Sequence, residues 1–280
     1  MNQPEENRYC LTTTSSGRLI RRMDQRLELV SRLMEEFHAK QTGPSNTKTL
    51  EFLMGPGVVM LMKWCPPGSF LMGSPQDEEG RWVSENQVQV ILSQGFWMGQ
   101  TQVTQAQWRA MMGNNPSRFQ GESRPVECVT WHDAQEFVAK INASFVLPDG
   151  MQMTLPTEAQ WEYAARAGEA GPYSGGTVDQ VAWYKENSGG ETHPVGTKKS
   201  NACGLNDMYG NVWEWCADWY QEELKGGVDP QGAISGSTRV FRGGCWGNVA
   251  DYCRVAYRYF NGPTYSANFI GFRVARSSVP

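Results

Sequence analysis

From residue 169 to its end the chain never sustains a helical period. Glycine, asparagine and aromatic residues stand where an amphipathic helix would need an apolar side chain at every third or fourth position. A domain built this way must hold irregular backbone in place by other means. The 30 glycines and 11 tryptophans of this 280-residue chain supply them, glycine by admitting tight turns and tryptophan by anchoring loops over a broad apolar face. Long helical repeats do not fit, and a single large α+β domain low in regular secondary structure is predicted.

The first half is more regular. VVMLMKW at 58–64 and VQVILS at 88–93 read as strands between glycine and proline turns, as do RVFRG at 239–243 and GFRVA at 271–275 later on. Three helices are announced by capping boxes. Thr104 precedes Gln107 in a run ending at Gly113, Thr130 precedes Asp133, and Thr157 precedes Gln160 with a stop at Gly168. Upstream, Leu19, Met23, Leu27, Val30, Met34 and Phe37 recur at helical spacing, which predicts an amphipathic helix over 17–41 whose apolar face docks on the domain or on a second copy of the chain. GPSNT at 43–47 reads as a linker. The chain thus divides into an extension over 1–48 and a main domain over 49–280.

A formal charge of -4 at pH 7 leaves no basic field of the kind that neutralises phosphates, so nucleic acid is not an expected partner. No stretch reaches the ~18 uninterrupted apolar residues of a membrane-spanning helix, so direct membrane insertion by these residues is not expected. Residues 1–16 contain no apolar run of the kind a secretory signal carries. Cys10 lies near the start, as a lipidated cysteine would, but Asn7, Arg8 and Tyr9 before it do not read as an attachment site.

Catalytic signatures are sparse. The three histidines, His38, His132 and His193, fall in unrelated segments without metal-ligand spacing, and no nucleophile elbow, Walker loop or dinucleotide fingerprint is present. The seven cysteines show no C-x-x-C pair, which argues for buried thiols over a zinc ribbon.

Seven segments in order, PPGSFLMGS (66–74), GFWMGQTQVTQAQW (95–108), RPVECVTWHDAQEF (124–137), LPTEAQWEYAARAG (155–168), GLNDMYGNVWEWCADWY (204–220), RVFRGGCW (239–246) and IGFRVA (270–275), resemble the successive signatures of the formylglycine-generating enzyme family. The resemblance implies that family's variant of the C-type lectin fold. It also implies, for active members, a copper-dependent oxidase that uses a cysteine pair after the RGG segment. Here the pair falls on Asn248 and Cys253, and an amide cannot supply the thiolate that soft copper requires. The oxidase is therefore the alternative reading, with no catalytic residue assigned. Asn211 and Glu214 in GNVWEW match the family's calcium-associated segment, which implies a structural calcium there; no other cofactor is called for. Glu214, a charge among Trp213, Trp215 and Trp219, is expected to be paired with an arginine, a backbone donor or an ion.

The stretch 247–269 contains no Lys, Glu, Gln, Met or Trp, although all five are plentiful elsewhere. Randomising the first and second letters of asparagine codons yields Gly, Val, Asp, Tyr, Phe, Thr, Ser, Ala or Asn and never those five. With its fixed flanks, the segment resembles the variable region of proteins diversified by retroelements, of the variable protein A type. The resemblance implies that Gly247, Asn248, Val249, Asp251, Tyr252, Tyr257, Tyr259, Phe260, Asn261, Thr264, Tyr265, Asn268 and Phe269 are variable, solvent-facing ligand contacts. Arg254, Arg258, Trp246, Pro263 and 270–272 are then scaffold. Such a chain would be a ligand-binding display protein on a bacterial cell surface, with lipid anchoring as one route of attachment, and would bind a protein or glycan target.

Overall fold

The structure, a computed structural model, describes residues 48–145 and 151–278. The 17–41 helix, the self-association assigned to it and the 43–47 linker lie outside the described residues.

The chain opens with a hairpin of β1 (Thr49–Gly55) and β2 (Val58–Cys65). Alternation sets its faces: Leu50, Phe52 and Met54 point inward beside Met60 and Met62, while Glu51, Leu53 and Leu61 face out. Then follow β3 (Gly68–Met72), β4 (Val88–Leu92) and β5 (Phe96–Gly99). Helices α1 (Gln105–Met112), α2 (Trp131–Ser144) and α3 (Glu158–Arg166) begin at Thr104, Thr130 and Thr157, and all three reciprocal capping boxes form as the sequence predicted. A further capping box at Thr177 and Gln180 starts the short α4 (Val178–Val181). Gly113 closes α1 in the left-handed conformation, but α3 ends one residue early, with Ala167 at φ 48° taking the cap expected of Gly168.

Between α2 and α3 lies β6 (Met151–Thr154). After α4 come β7 (Ala182–Trp183), β8 (Tyr209–Gly210), β9 (Trp213–Trp219), β10 (Gly227–Val228), β11 (Arg239–Arg242), β12 (Arg258–Asn261), β13 (Ile270–Gly271) and β14 (Ala275–Ser278). These make a five-stranded sheet in the order β1-β2-β5-β14-β6, a four-stranded sheet β12-β11-β9-β13, a three-stranded sheet β10-β4-β3 and a β7-β8 pair. Among the described residues no helix is long and apolar enough to cross a membrane.

The GFRVA strand is shorter than predicted. Ile270 and Gly271 pair with β9, but Arg273 turns inward, and strand pairing resumes only at Ala275. The backbone between is satisfied otherwise: Phe272 O accepts from Val103 N–H and Val274 O from Gly99 N–H.

The core lies under α3 and β9, where Trp161, Trp215, Phe96, Met98, Phe241 and Phe272 are almost wholly buried. Trp219 is only half-buried, at the sheet's end. In the RGG turn, Gly244 has φ +74° and a Cβ there would stand 2.5 Å from Cys253 Sγ, so only glycine lets the following segment pack this closely.

Candidate functional site: a clamped C-terminal surface

The segment from β11 to β14 is fastened from behind by arginines. Arg242 Nη1 donates to Glu158 at 2.6 Å and its Nη2 to Glu162 and to Val255 O. Arg258 meets the same Glu158 through Nε at 2.6 Å and Nη2 at 2.8 Å. Arg254 straddles Glu85 with two bonds of 2.9 Å and also holds Glu78. Arg273 grips both oxygens of Glu214, at 2.6 and 2.8 Å. All four guanidiniums are buried and each meets a carboxylate and a carbonyl, with Arg242 Nε and Arg254 Nε left without a partner. Burial alone would push Glu158 up, but the charges of Arg258 and Arg242 outweigh it and hold its carboxyl at about 2. The scaffold role expected of Arg254 and Arg258 thus has a geometric basis.

In front of these clamps the candidate contact residues divide. Gly247, Val249, Asp251, Tyr259, Phe260, Thr264 and Tyr265 are exposed. Asn248, Tyr252, Asn261, Asn268 and Phe269 are half-buried. Tyr257 does not face solvent. It is 4% exposed, beneath Trp82 and beside Trp213 and Tyr252, at ring separations of 5.9, 5.9 and 4.9 Å. It precedes β12, at the turn where its N–H reaches back to Arg254 O, and the ring packs among these three aromatics. Burial pushes its hydroxyl pKa up. Asn248 is also more than a contact. Its Oδ1 accepts from Cys245 N–H at 3.1 Å and from Cys245 Sγ at 3.0 Å, closing the turn after the RGG segment.

Trp246 donates its indole N–H to Asn268 O, and Pro263 O accepts from Trp131 N–H, which ties both positions to neighbouring segments. Residues that the sequence reading passed over border the same surface. Trp82 and Val83 stand 51% and 75% exposed, and Tyr220 stacks on Phe260 at 3.9 Å. None of these lies in the 247–269 window, and only the fold brings them there.

Neither metal suggested by the sequence fits the side chains present. Both Glu214 oxygens are taken, by Arg273, by Trp161 Nε1 at 2.7 Å and by Gln102 Nε2 at 3.0 Å. Asn211 spends its amide on the backbone of His193. Gln102 Nε2 further faces Asp207 O, Gly210 O and Val212 O at 3.0–3.2 Å, so an amide nitrogen stands where these oxygens converge. The expectation that Glu214 is paired with an arginine holds, and the Glu214 carboxylate and Asn211 amide of the calcium reading are both engaged, while Gln102 Oε1 and Asp207 Oδ1 are buried without a partner. For copper, Cys253 is fully buried with its thiol pushed well up by burial. Cys245, likewise pushed to about 12 by burial, spends its hydrogen on Asn248. No disulfide joins the described cysteines.

The fold and motifs define a member of a known class. Residues 55–278 match the family described as "Sulfatase-modifying factor enzyme 1-like domain", and the chain belongs to it. Its fold is the formylglycine-generating-enzyme kind of lectin-like fold that the motifs predicted. Among solved structures it is similar to Treponema denticola variable protein 1, with a TM-score of 0.73 and 34% identity over 83% of this chain and 99% of that one. It is also similar to PvdO from Pseudomonas aeruginosa, with a TM-score of 0.71 and 29% identity over 84% and 99%. In sequence it is 34% identical over 195 residues to a formylglycine-generating enzyme of Streptomyces coelicolor, a match spanning 62% of this chain and 59% of that enzyme.

Proposed function

We propose that this chain is a ligand-binding display protein whose exposed C-terminal side chains are diversified by a retroelement to recognise varied targets. One observation carries the reading. The segment's fold is held by side chains on its rear, the arginine clamps and Phe241, while Gly247, Val249, Asp251, Tyr259, Phe260, Thr264 and Tyr265 face solvent. Side chains that hold nothing together can be exchanged without unfolding the protein. Tyrosine and phenylalanine suit the task because they offer large contact area with few torsions to freeze. Similarity to a variable protein of Treponema denticola supports the same reading.

The oxidase alternative gains nothing from the geometry, since Asn248 replaces one thiol and Cys253 is sealed under Gly244. The reading also carries a location, a bacterial cell surface, where varied ligands would be met, and a protein or glycan target. It is tested by a library randomised at the seven exposed positions. Most members should express as folded protein, and selection should return binders to unrelated targets. General loss of folding, or an absence of binders from a well-folded library, would refute it.

A further inference from the structure

Two loops outside the 247–269 window are built into the same surface. In the loop over 75–86, Arg254 Nη2 holds Gly80 O while its Nη1 bridges Glu78 and Glu85, and Arg258 Nη1 reaches Ser84 O at 3.2 Å. This presents Trp82 and Val83 to solvent, with the Trp82 ring edge-on to Tyr257. The same Arg258 nitrogen bonds Glu222 O at 3.1 Å on the other side, where Tyr220 stacks on Phe260. The exposed aromatics of β12 are thus flanked by two fixed walls, each with an aromatic ring of its own.

The walls are acidic. Asp77 and Glu79 on one, Glu222 and Glu223 on the other, and Asp251 beside the first are all exposed. A Cβ on Gly80 would stand 2.8 Å from Asp251 Cγ, which places that carboxylate at the edge of the first wall. Among the described residues none of the five takes part in an ion pair. The cations nearby are outnumbered: Arg254 and Arg258 are buried on carboxylates, 247–269 contains no lysine, and Arg81, Lys185 and Lys225, which border the surface, are three against the five exposed acids. Aromatic faces ringed by an excess of carboxylates attract cations twice over, through the ring quadrupole and through the net field of the acids. A neutral sugar gains nothing from that field, and an acidic one is repelled by it.

We propose that the ligand surface extends beyond the diversified window onto Trp82, Val83 and Tyr220, and that with its acidic rim it takes a lysine- or arginine-bearing protein segment. This rests on the display reading and adds to it a fixed part that selects the charge of the partner. The test pans the full-length chain against a random dodecapeptide phage library at low salt. Selected peptides should be enriched in lysine and arginine. Trp82→Ala, and separately the triple variant Glu79→Gln, Glu222→Gln, Glu223→Gln, should each weaken their binding roughly tenfold while the protein stays folded by circular dichroism. Raised salt should weaken it further.

Peptides without basic enrichment, an empty selection, or tight binding of neutral oligosaccharides instead would overturn the proposal. If the peptides are basic but respond only to Tyr259→Ala and Phe260→Ala, the fixed walls fall and the display reading stands. If they respond to none of these variants, both fall.

Discussion

The segment from β11 to β14 has two sides that share one backbone and almost nothing else. Arg242, Arg254, Arg258 and Arg273 on the rear are buried, multiply bonded and tied to partners as distant in sequence as Glu78 and Glu214. Tyr259, Phe260 and Tyr265 on the front are 47%, 40% and 38% exposed, and the side chains of the first two take ring contacts. The contrast shows how stability and recognition can be kept apart within a few residues. Long-range buried charge pairs hold the platform, so the front need not.

The largest expected effect comes from breaking the rear. Glu158→Gln leaves Arg242 and Arg258 buried without a shared carboxylate, and breaking such a buried pair costs about 3–5 kcal/mol. For a domain of this size that is a fall in melting temperature on the order of 10 °C or more, measurable by calorimetry. Acid should do the same by degrees. The Glu158 pKa is lowered from the ordinary carboxylate value of 4.5 to about 2 on folding, so its stabilisation is complete above about 4.5 and is lost as pH falls toward 2. That loss is on the order of 3 kcal/mol. A melting temperature flat over this window, in the wild type and the variant alike, would show that the clamp carries no stability.

Tyr257→Ala sharpens the boundary between the two sides. Its ring is packed among Trp82, Trp213 and Tyr252, and emptying such a place costs about 3 kcal/mol, the low end for a buried aromatic. A thermal shift no larger than that of its exposed neighbours would return Tyr257 to the front. Those neighbours set the scale: Tyr259→Ala, Phe260→Ala and Tyr265→Ala should each change stability by about 0.5 kcal/mol or less. A larger loss at all three would mean that the front also holds the fold up.

Much of this division was legible in the sequence. The capping boxes named the starts of α1, α2 and α3 because each is a local device within four residues, and the framework arginines stood out against a window otherwise free of long charged side chains. What escaped depended on the fold. Tyr257 looks like Tyr259 in a list of aromatics two positions apart, yet it lies before the strand begins, where alternation does not yet govern direction. Trp82 reaches the surface only because Arg254 draws its loop there across a separation in sequence of well over a hundred residues. Gln102 carried no signal, since a glutamine in a loop is ordinary until four oxygens are found around it.

That glutamine gives the smallest expected effect and a clear one. Its amide has two hydrogens and meets the carbonyls of Asp207, Gly210 and Val212 and the Glu214 carboxylate, while Arg273 supplies the positive charge that Glu214 needs. A cation would have to displace the amide and compete with a buried guanidinium for the same carboxylate. Adding a chelator, or an excess of calcium, should therefore leave the melting temperature of the full chain where it is. Gln102→Ala removes the amide and leaves the oxygens facing one another. If that variant alone gains stability from calcium, the side chain is what keeps the ion out. If the wild type gains it as well, the amide yields to the ion and the fit argued from Gln102 is wrong.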